Sequence, residues 1–191
     1  MPTAYPSDLP AGDVPVDGLV PRGDEVIGTW YARTSAGDAI VVSWQRPGPD
    51  PFRADRGIAV WLHRGDPGSP WQPVDAVAFG AKRDPVLGLT AVIGDVTGDA
   101  SEDAVVFAET GGSGACGTYF VFDIANGARV FKRNVCDTSI APSTDPVGLV
   151  VTEAVFAPGD PHCCPSATRT SVLTYAGAGG WTTSSETTTR A

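Results

Sequence analysis

Two stretches of the chain concentrate residue types that can do chemistry. In Gly94-Asp95-Val96-Thr97-Gly98-Asp99-Ala100-Ser101-Glu102-Asp103, oxygen-bearing side chains recur at every second position: Asp95, Thr97, Asp99, Ser101 and Asp103. Calcium takes about six to eight oxygens at short range, and a curled loop with alternate acidic side chains supplies them, so Ca2+ is the candidate cofactor here. The competing reading is an acidic turn whose side chains cap their own backbone amides with no metal. An EF-hand is excluded, because Val106 stands where the bidentate glutamate would be.

The second stretch is His162-Cys163-Cys164-Pro165-Ser166, holding two of the four cysteines; the others are Cys116 and Cys136. None has C-x-x-C spacing, so two disulfides are expected rather than a zinc or thioredoxin site. Neighbouring cysteines seldom bond to each other, because that requires a strained eight-membered ring. The expected pattern therefore ties each of Cys163 and Cys164 to one of Cys116 and Cys136, in an order the sequence leaves open. The rival is a metal or redox site built from His162, Cys163, Cys164 and Cys136.

What must position these stretches is a β-rich chain. Its 191 residues suffice for one well-buried core. The acids are 17 Asp and 5 Glu, the bases 11 Arg and 2 Lys, amid 23 Gly and 17 Pro, so good helix formers are scarce. A net charge of −9 argues against nucleic acid or an anionic membrane surface as partner, since a polyanion needs clustered cations. Residues 1–24, with Pro2, Pro6, Pro10, Pro15 and Pro21, read as an extended linker or an arm lying on the domain. A single β domain follows over 25–182, and the Ser/Thr-rich tail 183–191 is expected to be disordered.

Inside the domain, three units repeat the order strand, long loop, strand, tight turn, strand. They run from Val41 to Trp71, from Val105 to Phe131 and from Leu149 to Trp181. The period of roughly forty to sixty residues lies in the range of arrays and propeller blades, but three units are too few for a closed propeller. The fold expected is all-β: an antiparallel meander of blade-like hairpins forming a sandwich, a barrel or an incomplete propeller, stapled by disulfides. Turns are expected at Asp66-Pro67-Gly68, near Lys82-Arg83-Asp84-Pro85 and at Arg22-Gly23-Asp24.

Two resemblances add to this reading. Residues Asp95 to Asp103, followed by the apolar Ala104-Val105-Val106-Phe107, resemble the calcium loop of integrin-type (FG-GAP) propeller repeats. Thr97 replaces an Asn or Asp of that pattern, and Ala100 its glycine. The order of this acidic segment, Gly114-Ala115-Cys116-Gly117, Asp160-Pro161-His162-Cys163-Cys164-Pro165-Ser166, Tyr175 and Gly180-Trp181 is similar to the LppP/LprE-type lipoproteins of actinobacteria, over about residues 90–185. That resemblance implies an exported, membrane-anchored protein with no assigned activity, and it is silent on residues 25–88. Met1 with the Pro-rich segment after it reads as a start placed on a mature sequence whose export signal has been removed.

Catalytic constellations are thin. There are two histidines, His63 and His162, and no G-x-S-x-G elbow, so a hydrolase would have to recruit Ser166 or Ser113. Paired acids such as Glu102 with Asp103, or Glu109 and Glu153, beside Trp44, Trp61 and Trp71 would suit a glycosidase, although tryptophans on strands more often belong to a core. The function expected is a non-catalytic domain of the cell envelope or extracellular space, monomeric, with a structural or binding role toward a protein, a glycan or a small ligand. An extracellular carbohydrate-active enzyme or other hydrolase is the alternative.

Overall fold

The computed structural model describes residues 1–190 except Asp8, Pro67, Arg83 and Asp84, together with the backbone but not the side chain of Pro51. The expected turns at Pro67 and at Arg83-Asp84 therefore fall partly outside the described residues. Three separate four-stranded antiparallel sheets follow one another along the chain, and none closes into a barrel. Sheet 1 contains β1 (Glu25–Thr34), β2 (Gly37–Gln45), β3 (Arg56–His63) and β4 (Gln72–Phe79). Sheet 2 contains β5 (Gly88–Gly94), β6 (Asp103–Gly111), β7 (Cys116–Asp123) and β8 (Ala128–Val135). Sheet 3 contains β9 (Thr138–Thr144), β10 (Val147–Val155), β11 (Ala167–Tyr175) and β12 (Trp181–Arg190). Each repeat unit of the sequence thus forms the last three strands of a sheet, and a leading strand (β1, β5 or β9) completes it.

The sheets stack face to face, and strand periodicity explains how. Along β6, Ala104, Val106 and Ala108 face sheet 1, while Val105 and Phe107 face sheet 3. On β7 the same alternation sends Phe120 and Phe122 to one side and Tyr119 and Val121 to the other. Sheet 1 meets the first set with Val41, Ile58, Val60 and Leu62; sheet 3 meets the second with Ile140, Leu149 and Val151. Strands buried on both faces read as unbroken apolar runs, which is why β2 and β3 were plain in the sequence.

The Pro-rich N-terminal segment is an arm, and it covers the outer face of sheet 1. Val14, Leu19 and Val20 are buried there against Ile40, Val42, Trp44, Trp61 and Trp71. Two short 3-10 turns, Ala11–Asp13 and Val16–Leu19, shape the arm, and Tyr5 exchanges backbone hydrogen bonds of 2.9 Å with Trp71. Arg22-Gly23-Asp24 forms the expected turn, closed by Asp24 N–H donating to the Pro21 carbonyl at 3.0 Å.

The C-terminal tail corrects an expectation. Rather than being disordered, Trp181–Arg190 is an edge strand paired with β11 along its whole length. Its alternating Ser and Thr give no apolar signal, yet these residues suit a pleated, exposed surface. No helix among the described residues is long and apolar enough to cross a membrane.

Candidate functional site

The acidic loop joins β5 to β6, and its oxygens turn inward on its own backbone. Asp95 accepts from Gly98 N–H at 2.7 Å and from Ala100 N–H at 3.0 Å, and Asp99 accepts from Ser101 N–H at 2.8 Å. Asp103, fully buried, accepts at Oδ2 from Val96 N–H, Thr97 N–H and the Thr97 hydroxyl, each at 3.0 Å. Its Oδ1 is buried with no partner among the described residues. Burial outweighs those three hydrogen bonds and pushes the Asp103 carboxyl up to about 6. Ala100 carries the left-handed conformation, φ +63°, that the replaced glycine would adopt without strain.

The loop also docks on sheet 1. Ser35 N–H donates to Ser101 Oγ at 3.0 Å, Glu102 N–H donates to the Arg33 carbonyl at 3.0 Å, and Arg33 N–H donates back to the Glu102 carboxylate at 2.6 Å. Asp95, Thr97, Asp99, Ser101 and Asp103 are thus gathered in one turn, in the self-capped arrangement. Among the described residues, no group of three or more His, Cys, Asp or Glu has the arrangement of a metal site.

The cysteines pair differently from expectation. Cys116 is bonded to Cys136, and Cys163 and Cys164 remain thiols, exposed on the loop between β10 and β11. The cross-pairing of Cys163 and Cys164 with Cys116 and Cys136 is not formed. Strand register is the reason. Gly117 stands opposite Val135 in the β7–β8 hairpin, so the residues just beyond, Cys116 and Cys136, become cross-strand neighbours. The sequence separates them by 20 residues and shows nothing of that pairing.

The residues a hydrolase would need are dispersed. Trp44, Trp61 and Trp71 are buried in the core under the arm, with 5%, 0% and 0% of their surface exposed, and present no face to a sugar. Glu153 is held between Arg133 and Arg169, and the Ser166 hydroxyl donates to Asp160. His63 packs on Trp71 with ring centres 5.3 Å apart, its Nε2 3.1 Å from the Ser69 carbonyl.

A groove that sequence reasoning missed opens between sheets 1 and 2, with a volume of about 750 Å3. That size lies within the usual range for small-molecule sites. Apolar lining comes from Phe79, Val86, Ala108 and Phe120, the last three almost wholly buried in the core, and the Cys116–Cys136 bridge also lines it. Thr110, Thr118 and Asn134 supply hydroxyl and amide groups, and Arg129 and Lys132 supply positive charge. No described lining residue is acidic, on a protein of net charge −9. Arg129 is paired with Asp75 across the two sheets, whereas the Lys132 ammonium lies 5.9 Å from the Phe120 ring centre and has no ion pair among the described residues. These residues come from β4, the segment before β5, and β6 to β8, so no local motif announces them.

No family model, no curated protein and no solved structure matches the chain.

Proposed function

We propose that the chain is an exported, non-catalytic binding domain whose ligand is an elongated apolar molecule carrying one negative charge, held in the groove between sheets 1 and 2. One observation carries this reading: aromatic and aliphatic residues lie beneath a cation that has no ion pair among the described residues, on an otherwise acidic protein. Apolar area gives such a site its affinity, and a single charge at the rim orients the ligand. Export is supported by the Cys116–Cys136 bridge, because such bonds persist in oxidising compartments. The resemblance to actinobacterial lipoproteins points the same way and supports a reading in which the domain sits at the cell envelope, anchored by lipid.

The test compares a long-chain fatty acid with the fatty alcohol of equal length, each displacing a fluorescent probe from the purified protein. Saturable binding is expected for both, tighter for the carboxylate. Lys132→Ala should weaken the carboxylate about fivefold, roughly 1 kcal/mol, and leave the alcohol unchanged. Absence of saturable binding, or equal loss for both ligands, would overturn the reading.

A further inference from the structure

Three places outside the groove hold groups with chemistry to spare: the buried Asp103 carboxylate, the exposed Ser/Thr edge strand β12, and the neighbouring thiols of Cys163 and Cys164. Their sulfurs lie 2.7 Å apart, both exposed to solvent. Bond formation would shorten that distance by only about 0.7 Å.

The loop that presents them is built to hold them still. Asp160 accepts from Ala157 N–H at 2.7 Å and from Ser166 N–H at 3.0 Å, closing the loop at its base. Cys164 N–H donates to the Pro161 carbonyl at 2.9 Å, forming the turn that places the two side chains together. His162 anchors one flank, with its ring 5.4 Å from that of Phe156 and its Nδ1 3.9 Å from the Asp137 carboxylate. The pair is therefore ordered, solvent-facing and separate from the bridge that staples β7 to β8.

We propose that Cys163 and Cys164 are a two-electron redox modification site, which closes to a vicinal disulfide by exchange with a low-molecular-weight disulfide and reopens with the corresponding thiol. In the first step the Cys163 thiolate attacks one sulfur of the small disulfide. A mixed disulfide forms on Cys163 and one small thiolate leaves, taking up a proton. In the second step the Cys164 thiolate attacks Cys163 Sγ, the Cys163–Cys164 bond forms, and the second small thiol departs. Two electrons pass from the pair to the external disulfide, and two protons leave the cysteines. Cys163 attacks first because the Cys164 thiol is held above its ordinary value, first by its hydrogen bond with Cys163, then by desolvation and by the Asp160 charge.

Adjacent Cα atoms are about 3.8 Å apart, below the usual span of a disulfide, so the closed ring is strained and easily reduced. A ring between neighbours also encloses no chain loop, so the fold gains no stability from closing it. Cys116–Cys136 differs on that count: it closes a 20-residue separation, and reduction releases the loop to the unfolded chain.

The experiment is a titration of the folded protein in glutathione buffers of increasing oxidising ratio, followed by thiol trapping and peptide mass mapping. Cys163 and Cys164 should lose trapping together, at a ratio at which Cys116 and Cys136 are already fully bonded. In Cys164→Ser the second step is blocked, and Cys163 should accumulate as a glutathione mixed disulfide. Two trapped thiols at every ratio, separate glutathione adducts on both residues of the unaltered protein, or bonds from either to Cys116 or Cys136 would each overturn the proposal.

Discussion

Asp75 on β4 and Arg129 on β8 are joined by two hydrogen bonds, 2.9 Å at Nε and 3.0 Å at a terminal nitrogen, across the gap between sheets 1 and 2. The same guanidinium lies over the faces of Phe120 and Phe122, at 5.6 and 5.7 Å from their centres. Arg129 is therefore held over the groove with its charge already answered, which leaves Lys132, among the described lining residues, as the cation available to a ligand. Asp75→Asn removes that answer. The pair is partly exposed, so stability should fall by less than about 1 kcal/mol in a urea melt. Affinity for a long-chain carboxylate should rise about threefold, and affinity for the matching alcohol should not change.

Asp103 gives stability a pH dependence of definite sign. Its carboxyl sits at about 6 in the fold against an ordinary 3.8, so the folded chain binds a proton that the unfolded chain has released between those values. Stability from this group is thus fully present below about pH 4 and is lost as pH rises through about 6. Asp103→Asn retains an acceptor for Val96 and Thr97 but does not titrate. Between pH 4 and pH 7 the protein should lose about 2 to 3 kcal/mol relative to that variant, measured by urea unfolding at each pH. A constant difference across the range would show that the buried carboxylate is not proton-linked to folding.

The self-capped loop makes a further prediction about calcium. Asp95 and Asp99 already accept from Gly98, Ala100 and Ser101, so a cation would have to displace or share those bonds. Melting temperatures with millimolar calcium and with chelator should agree within about 1 °C. A rise of several degrees with calcium would assign Asp95, Thr97, Asp99, Ser101 and Asp103 to a bound ion through ligand linkage.

How much of this was legible follows from where each signal lies along the chain. β2 and β3 are buried on both faces, so their composition alone marked them, and the Gly-rich turns marked the three-fold repeat. β9, with Pro142 inside it, has no such contrast with loop composition and was missed, and β12, entered at Trp181 by the third unit, was expected to give way to a disordered tail because its Ser and Thr lack that contrast too. The acidic loop was found because its oxygens are spaced locally. Its partners Arg33 and Ser35 were not, because they lie 69 and 66 residues away from the groups they meet. The cysteine pairing and the groove are both consequences of register and stacking. Cys116 meets Cys136 only because Gly117 lies opposite Val135, and Phe79 meets Phe120 only because sheet 1 packs on sheet 2.

The burial of strand β12 rests on one side chain. Of its ten residues only Trp181 is even partly buried: its ring meets Phe131 edge-on at 5.7 Å and Tyr175 at 5.2 Å, and its Nε1–H donates to the Val130 carbonyl at 2.8 Å. That bond ties sheet 3 to β8 of sheet 2. Trp181→Phe keeps a ring but loses the donor, and should cost about 1 kcal/mol; Trp181→Ala should cost about 3 kcal/mol. The loss should be local before it is global, since the remaining residues of β12 contribute backbone pairing and side-chain hydrogen bonds, such as those of Ser184 and Glu186 with β11, but little burial. Amide exchange along β12 should accelerate at least about tenfold in Trp181→Ala under native conditions, ahead of any change at Leu149 and Val151 in the core of β10. Equal acceleration on both strands would mean that β12 opens only with the whole domain, and that its Ser/Thr ladder holds it as firmly as the tryptophan does.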